Sequence, residues 1–531
     1  MKNAKNFDRR WFMIDLAREK TFSKDEFTVL LDTLEKLGYN GIGVYLEGAF
    51  EFKNLGGVTR EKVMTRDDAK WLNAECKKRG IYAFPLTNIA AHMNHFYGVE
   101  KYRDLFLAET PYQIDFHKEK ARDFVMTYVR DYIEAFDTDM INIGGDEVSL
   151  KDENDKIAYA KFVGSVCDEL LKTGIKPAIW GDMLFKNPEL CDYINKDAII
   201  FDWCYHGHSP DSLKLFKDKG FKEIFACNSD NGWIGLINHQ HGPLVREDMS
   251  IERDEVEAFL EDAKNLGIKN AMVTDWENFI GRNLWGQFAP IARCALFLNG
   301  ETEARECTDE QIDTALFGRI TGYAKVTRLL RDGLHPEDMP RPTPPADLLF
   351  SLRTALCEPS FFVKVVKQLN EEKPTYFDSY DEVIEKAESI LDKWDAVSPL
   401  EERCLLAMYN ITSMARVASC MVKISKGYLA LYKKASKIQF DSPKLALQYL
   451  NRFENIVRHC AQEYRSHLKI LTTATADSGY GTFDQIKIEL MIKRINNMAD
   501  YIACFEQDID RVALPRIERV LTRCIVDGIE G

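Results

Sequence analysis

The segment "DMINIGGDEV", residues 139–148, ends an apolar run on two glycines and two adjacent carboxylates. The apolar part is typical of a buried strand. Adjacent strand residues point to opposite faces of a sheet, so Asp146 and Glu147 can share a site only where the strand ends. Gly144 and Gly145 permit that departure from regular geometry and let the backbone approach a ligand. We therefore predict a strand whose C-terminal end carries two functional acids.

Seven further segments have the same β-rich character and alternate with amphipathic helices. The eight predicted strands are 11–17, 41–47, 81–87, 140–145, 176–182, 198–204, 223–229 and 270–276. Apolar residues at helical spacing predict helices over 25–37, 118–135 and 251–266. Glycine C-caps are predicted at Gly38, Gly80 and Gly267. Eight such repeats indicate an α/β fold, a (β/α)8 TIM barrel over residues 1–305. A doubly wound open sheet is the alternative, but no GxGxxG follows the first strand.

The alternation stops after residue 305, and the rest of the chain has a different organisation. The proline-rich segment "HPEDMPRPTPPAD" lies in a predicted connector over 306–347. An all-helical C-terminal domain is predicted over 348–531, with helices at 381–395, 400–434, 443–472 and 483–507. We interpret this domain as structural or oligomeric, which allows a homodimer, because it contains no group of residues suited to catalysis.

The composition excludes several classes of function. A net charge of −14, without a basic stripe, argues against a nucleic-acid partner. No window approaches the roughly 18 apolar residues of a membrane span, and the first residues do not resemble a secretory signal. The thirteen cysteines include no CxxC pair and are interpreted as reduced thiols. We therefore expect a cytoplasmic protein.

The C-terminal ends of the predicted strands are rich in carboxylates and tryptophans. These are the positions where barrels collect functional residues. The candidate site residues are Arg18, Glu47, His92, Asp146, Glu147, Trp180, Asp182, Trp203, Asp230, Trp233, Trp276 and Glu277. Aromatic rings stack on the apolar faces of sugars, and charged groups bind the hydroxyls. A single tryptophan at a strand end more often covers the core, but several around one mouth predict a carbohydrate ligand.

The paired acids also indicate which type of glycosidase reaction to expect. Two acids in a partly desolvated pocket raise each other's pKa values, so one can remain protonated as a general acid. Ordinary glycosidases place their two carboxylates on opposite sides of the scissile bond. Asp146 and Glu147 lie on the same side, which favours a reaction in which the sugar supplies its own nucleophile.

These segments resemble a known family. "INIGGDEV" resembles the (H)xGGDE signature of glycoside hydrolase family 20 (GH20), the β-N-acetylhexosaminidases. "FMIDLAREKTFS" resembles the family's first strand with its sugar-binding arginine, and "DWEN" its Trp-x-Glu element. "YLEGAFEF", "RGIYAFPLTNIAAHM" and "IWGDML" are similar to the intracellular, hexosaminidase D-like branch. The resemblance spans roughly residues 11–300.

The resemblance implies a role for each matching residue. Glu147 would be the general acid and base, and Asp146 would orient the 2-acetamido group that attacks the anomeric carbon. Arg18 and Glu277 would bind hydroxyls, while Trp203, Trp276 and Trp180 would form the pocket wall. The activity implied is exo-acting and retaining, on terminal N-acetylglucosamine or N-acetylgalactosamine, with no metal or other cofactor.

The chain departs from the family pattern at two points. Asn142 stands where the signature commonly has histidine. The acetamide-binding tyrosine of strand seven has no clear counterpart in "FACNSDNGWIG", where Asp230 and Trp233 lie nearby.

Three alternatives remain open from the sequence. "HGH" (206–208) and "HQH" (239–241) have metal-ligand spacing, which would suit a metal-dependent barrel hydrolase. A second alternative is a catalytically silent glycan-binding protein. A third is a barrel glycosidase with an enzyme nucleophile, Asp182 or Glu277.

Overall fold

The computed structural model divides the chain into two compact units. The first comprises Met1–Trp233, Asp248–Glu277 and Gln287–Ile320, and the second Ile234–Glu247, Asn278–Gly286 and Thr321–Gly531. The structure describes residues 5–17, 22–58, 63–205, 208–229, 257–276, 284–303, 306–334, 378–438 and 440–477. The first unit thus extends beyond residue 305, and the boundaries at 305 and 347 stay a prediction.

Eight parallel strands of the first unit close into a barrel, which confirms the (β/α)8 prediction. They are β1 (Arg9–Asp15), β2 (Gly41–Tyr45), β3 (Tyr82–Leu86), β6 (Met140–Asn142), β7 (Lys176–Trp180), β8 (Ile199–Trp203), β9 (Glu223–Ser229) and β10 (Asn270–Asp275). They pair in chain order, and β10 closes the barrel against β1. Between β3 and β6 the chain forms an antiparallel hairpin of β4 (Phe106–Leu107) and β5 (Thr110–Ile114), which the sequence did not predict.

Helices of the first unit follow the strands in the expected alternation. They are α1 (Lys24–Lys36), α2 (Arg66–Lys78), α3 (Asn94–Tyr97), α4 (Glu119–Phe136), α5 (Glu153–Lys172), α6 (Asp182–Lys186), α7 (Pro210–Asp218), α8 (Ala258–Asn265), α9 (Phe288–Leu298) and α10 (Asp309–Phe317). α1 begins at a capping box in which the Ser23 side chain accepts from Glu26 N and the Glu26 side chain accepts from Ser23 N. The predicted helices 25–37 and 118–135 are therefore confirmed within about one residue. The first part of 251–266 lies outside the described residues.

The lower end of the barrel is filled by an aromatic floor, which consists of Trp11, Tyr82, Phe84 and Phe225. The Trp11 ring centroid lies 4.3 Å from that of Phe225, 4.8 Å from Phe84 and 5.7 Å from Tyr82. Gly41 is required beside this cluster, because a Cβ there would lie 2.2 Å from the Trp11 indole. The barrel interior is thus closed at the N-terminal ends of its strands.

The described part of the second unit is helical, as predicted. Its helices are α11 (Tyr323–Leu334), α12 (Tyr380–Leu391), α13 (Pro399–Gly427), α14 (Lys433–Ile438) and α15 (Pro443–Asp477), with a π-helical turn at Tyr428–Tyr432. The indole of Trp394 donates to Glu401 at 3.0 Å, and the Tyr323 hydroxyl donates to the Trp285 carbonyl at 2.7 Å. The predicted helix at 483–507 lies outside the described residues. Among the described helices, none has the length and apolar character needed to cross a membrane.

Candidate active site

The two acids after β6 meet at one imidazole. The Nε2 atom of His92 lies 3.1 Å from Glu147 Oε2 and 3.7 Å from Asp146 Oδ2. The Asp146 side chain is 14% exposed and that of Glu147 is 40% exposed. Asp146 and Glu147 therefore lie together at the barrel mouth, with Asp146 the more buried of the two.

Three non-glycine residues of this site have left-handed backbone conformations. The φ angles are 43° at Glu47, 54° at His92 and 51° at Glu147. Such conformations are disfavoured for residues with a Cβ, and they persist only where the surrounding structure imposes them. Backbone strain is therefore concentrated where β2, β3 and β6 end.

The two glycines before the acid pair turn the chain sharply. Gly144 and Gly145 have φ angles of 73° and 90°. Gly144 N donates to the side-chain oxygen of Asn142 at 2.7 Å, and Gly145 N donates to Asn88 Oδ1 at 3.0 Å. Asn142, the departure from the family signature, thus supports the turn that brings both acids to the mouth.

Asn88 links this turn to Asp146. Its Nδ2 atom donates to Asp146 Oδ1 at 2.8 Å, and its own carbonyl accepts from the Tyr128 hydroxyl at 2.6 Å. Burial, together with the nearby charges of Asp182 and Glu147, raises the pKa of Asp146 to about 6. The His92 charge and the Asn88 hydrogen bond act in the opposite direction.

His92 is held in its charged form by the carboxylates around it. Burial alone would lower its pKa, but the hydrogen bond to Glu147 and the charges of Asp146, Glu147 and Glu47 raise that pKa to about 9. The imidazole is therefore protonated at neutral pH and donates a hydrogen bond to the Glu147 carboxylate. Glu47 itself accepts from the Tyr45 hydroxyl at 2.6 Å and lies 3.6 Å from His95.

Asp182, the first residue of α6 after β7, supports the pair. Its Oδ2 atom accepts from the backbone N of Glu147 at 3.3 Å and lies 3.1 Å from Lys186 Nζ. Burial raises the pKa of Asp182. Asp182 therefore fixes the Glu147 backbone, and its use as a nucleophile stays a prediction.

Aromatic residues at the ends of β8 and β10 form a connected wall. The Trp276 indole donates to the Tyr205 hydroxyl at 2.8 Å, and Tyr205 stacks on Trp203 with centroids 5.0 Å apart. Trp180 is 1% exposed and packs between Phe201 and Trp276. Trp203 and Trp276 thus lie together, while Trp180 supports them from the core.

Arg18, Asp230, Trp233 and Glu277 lie outside the described residues, as do His206 and the 239–241 histidines. His208 is described, and its Nδ1 atom lies 2.9 Å from Asp262. Among the described residues, the group suited to a metal ion is His92, Asp146 and Glu147, whose ligand atoms lie within 4.8 Å of one another. The hydrogen bond between His92 and Glu147 explains this proximity without a metal.

Two residues of the site were missed from the sequence. Asn88 follows β3 in "PLTN" and Tyr205 follows β8 in "DWCY", so the strand-end rule that selected the other residues also covers them. Tyr205 brings a hydroxyl into the mouth near Asp146, whose charge contributes to raising the Tyr205 pKa, although burial is the main cause.

Comparison with known proteins gives a likeness of fold. No family model matches the sequence, and no curated protein matches it. A structure described as a GH138 enzyme targeting pectin rhamnogalacturonan II is 11% identical, with a TM-score of 0.52 over 96% of this chain and 84% of that one.

The other solved structures that resemble the chain include GH20 β-N-acetylhexosaminidases, the family that the sequence motifs resemble. The Bacteroides fragilis enzyme is 17% identical over 56% of this chain and 66% of its own, with a TM-score of 0.44. The Streptomyces coelicolor A3(2) enzyme is 15% identical over 61% and 70%, with a TM-score of 0.45. The chain thus spans about two thirds of the length of these structures.

Proposed function

We propose that this protein is a retaining, exo-acting β-N-acetylhexosaminidase that uses the 2-acetamido group of its substrate as the nucleophile. The observation that carries the proposal is the convergence of Asp146 and Glu147 on His92, at 3.7 and 3.1 Å. Both acids lie on the same side of the mouth. Their closest oxygens lie within 4.8 Å, so the two acids do not flank the scissile bond as the carboxylates of ordinary glycosidases do.

The two acids are differentiated by their surroundings. Asp146 is the more buried and accepts from Asn88, so it can orient the acetamide N–H and stabilise the positive charge that develops on the cyclised group. Glu147 is the more exposed, so it can reach the glycosidic oxygen, and the protonated His92 that donates to it is the source of the proton that it transfers. Asp146 therefore has the stabilising role and Glu147 the role of general acid.

The proposed reaction has two steps. In the first, a proton passes from the His92 imidazolium through Glu147 to the leaving oxygen as the acetamido carbonyl oxygen bonds to the anomeric carbon and the glycosidic bond breaks. In the second, the Glu147 carboxylate takes a proton from water. The water oxygen attacks the anomeric carbon and breaks its bond to the acetamido oxygen, which restores the free acetamido group. Two inversions at the anomeric carbon give net retention. The wall of Trp203, Tyr205 and Trp276 suits the apolar face of the sugar.

The first experiment compares an aryl N-acetyl-β-glucosaminide and an aryl N-acetyl-β-galactosaminide with the corresponding glycosides that lack the acetamide. We expect turnover of acetamido substrates only. E147Q and D146N should each lower kcat by about 100-fold or more, whereas E153Q, at an exposed carboxylate 65% accessible to solvent, should behave as wild type. Equal cleavage of glycosides without the acetamide would contradict the proposal.

A second experiment separates the remaining alternatives. A thiazoline analogue of the cyclised intermediate should inhibit competitively, because it mimics a species that forms only in the substrate-assisted route. Turnover without thiazoline inhibition would favour an enzyme nucleophile such as Asp182. Binding of the sugar without turnover would favour a silent glycan-binding protein.

A further inference from the structure

The β4–β5 hairpin (Phe106–Leu107 and Thr110–Ile114) contacts two segments of the candidate site, the loop that carries His92 and the segment that carries Glu147. Its β5 strand pairs with the loop that carries His92, because Met93 N donates to the Tyr112 carbonyl at 2.9 Å and Ile114 N donates to the Ala90 carbonyl at 2.9 Å. These hydrogen bonds lie on either side of His92 in the chain, so β5 holds the backbone of that loop.

Gln113, which lies between Tyr112 and Ile114 on β5, contacts the segment that carries Glu147. Gln113 is fully buried, at 0% exposure. Its Nε2 atom donates to the Ser149 carbonyl at 3.1 Å, and its Oε1 atom accepts from Ser149 N at 2.9 Å. One side-chain amide thus occupies both backbone groups of a residue two positions beyond Glu147. This double contact also defines the orientation of the amide, because one partner can only accept and the other can only donate.

The contacts of β5 lie close in the chain to the two residues with strained backbone conformations, His92 and Glu147. His92 directly precedes Met93 and has a φ of 54°, and Glu147 lies two residues before Ser149 and has a φ of 51°. Each strained residue is therefore followed closely by a backbone group that β5 holds. Without such restraints, a non-glycine residue relaxes to the right-handed or extended region.

We propose that Gln113 is a positioning residue, which keeps the Glu147 segment in register with the His92 loop and so maintains the contact between their side chains. Gln113 does not touch the reacting atoms and acts through Ser149. The kinetic consequence rests on the proposed function, whereas the structural consequence, the His92–Glu147 contact, does not.

The test uses Q113M, which keeps the volume of the side chain and removes both hydrogen bonds. The matched control is N73L, because Asn73 is also a buried amide that donates to a backbone carbonyl, that of Phe136 at 2.6 Å, near the opposite end of the barrel. We expect both variants to lower the Tm. Only Q113M should lower kcat, by about 100-fold with KM within about threefold, because small misplacements of catalytic groups have effects of that size.

A second readout does not depend on activity. In histidine-labelled protein, the His92 imidazole (identified by its loss in H92Q) should titrate near 9 in the wild type and in N73L. In Q113M its titration should move toward the ordinary value of 6.5, because the contact with Glu147 is lost. If the wild type proves inactive on every glycoside, the proposed function fails, and the His92 titration still decides the role of Gln113.

Q113N serves as a second variant if Q113M does not fold, since it keeps a polar amide and shortens its reach by one methylene. A wild-type kcat and an unchanged His92 titration in a folded Gln113 variant would overturn the inference. A loss of activity no greater than that of N73L, at an equal loss of Tm, would do the same.

Discussion

The side chains of His92 and Glu147 contact each other at the barrel mouth, 3.1 Å apart, and each residue has a left-handed backbone conformation. They come from the ends of different strands, and 55 positions separate them in the chain numbering. Their contact makes the protonation of one dependent on the other, so a change at His92 should be visible in both activity and stability.

The pH dependence of activity should have an acidic limb set by Asp146. This group must be ionised to stabilise a positively charged intermediate, so kcat/KM should fall as the pH drops through about 6. In H92Q the limb should move to higher pH, because the His92 charge lowers the pKa of Asp146. The measurement is kcat/KM against pH for both proteins. A limb at the same pH in H92Q would show that His92 does not act on Asp146.

The stability of the fold should also depend on the charge of His92. Whereas activity is lost as the pH falls, this stabilisation is lost as the pH rises. The pKa of His92 is raised in the folded protein from 6.5 to about 9, so its stabilising contribution is fully present below 6.5 and is lost as the pH rises through about 9. The Tm difference between wild type and H92Q should therefore be largest at about pH 6.5 and below, shrink as the pH rises, and be lost above about pH 9. Thermal unfolding of the two proteins between pH 6 and 10 measures it, and a difference independent of pH would contradict the assigned charge.

Gly144 should tolerate no side chain. With a φ of 73°, G144A adds left-handed strain and places a Cβ 2.4 Å from Asn88 Oδ1. The control is G174A, whose φ is 81° but whose Cβ would have nothing within 4 Å. We expect G174A to lose about 1 kcal/mol of unfolding free energy and retain its activity. G144A should lose more stability and most of its kcat, and equal effects in the two variants would exclude a specific role for the Asn88 contact.

Asn88 should act on the charge of Asp146. N88L removes the hydrogen bond that lowers the pKa of Asp146, so the acidic limb should move to higher pH while the binding of a neutral sugar analogue changes little. Kinetic pH profiles and calorimetric titration with the analogue provide the two measurements. Unchanged profiles with weakened binding would instead make Asn88 a ligand of the sugar.

Added zinc should inhibit, and a chelator should leave the purified protein active. The ligand atoms of His92, Asp146 and Glu147 lie within 4.8 Å of one another, so small rotations of these side chains would let all three bind one ion at roughly 2.0–2.2 Å. Calorimetry should show Zn²⁺ binding that H92Q abolishes and H117Q retains, since His117 lies with Asp155 outside this group. Loss of activity on chelation would revive the metal-dependent alternative.

The barrel was predictable because its signals are local. Apolar runs of strand length, helical periodicity and glycines after helices each depend on a few neighbouring residues. Gly38, Gly80 and Gly267 indeed follow α1, α2 and α8 with positive φ angles of 81°, 66° and 71°. The paired acids could be assigned to a strand end for the same reason.

The contacts that organise the site were not predictable, because they join distant parts of the chain through single polar side chains. Asn88 reaches Asp146 across 58 positions, and Gln113 reaches Ser149 across 36. An amide in a loop has no periodicity, and its partner is fixed only when the strands assemble. The hairpin was missed because its two strands are short and one contains Pro111.

In the part of the chain that the structure describes, the aromatic floor leaves the candidate site open only at the barrel mouth. Because Trp11, Phe84 and Phe225 fill its lower part, a sugar cannot pass down the barrel axis and would leave by the mouth at which the next substrate enters. For the proposed enzyme, we therefore expect turnover to slow as free monosaccharide accumulates, because the product would compete with the substrate for the same space.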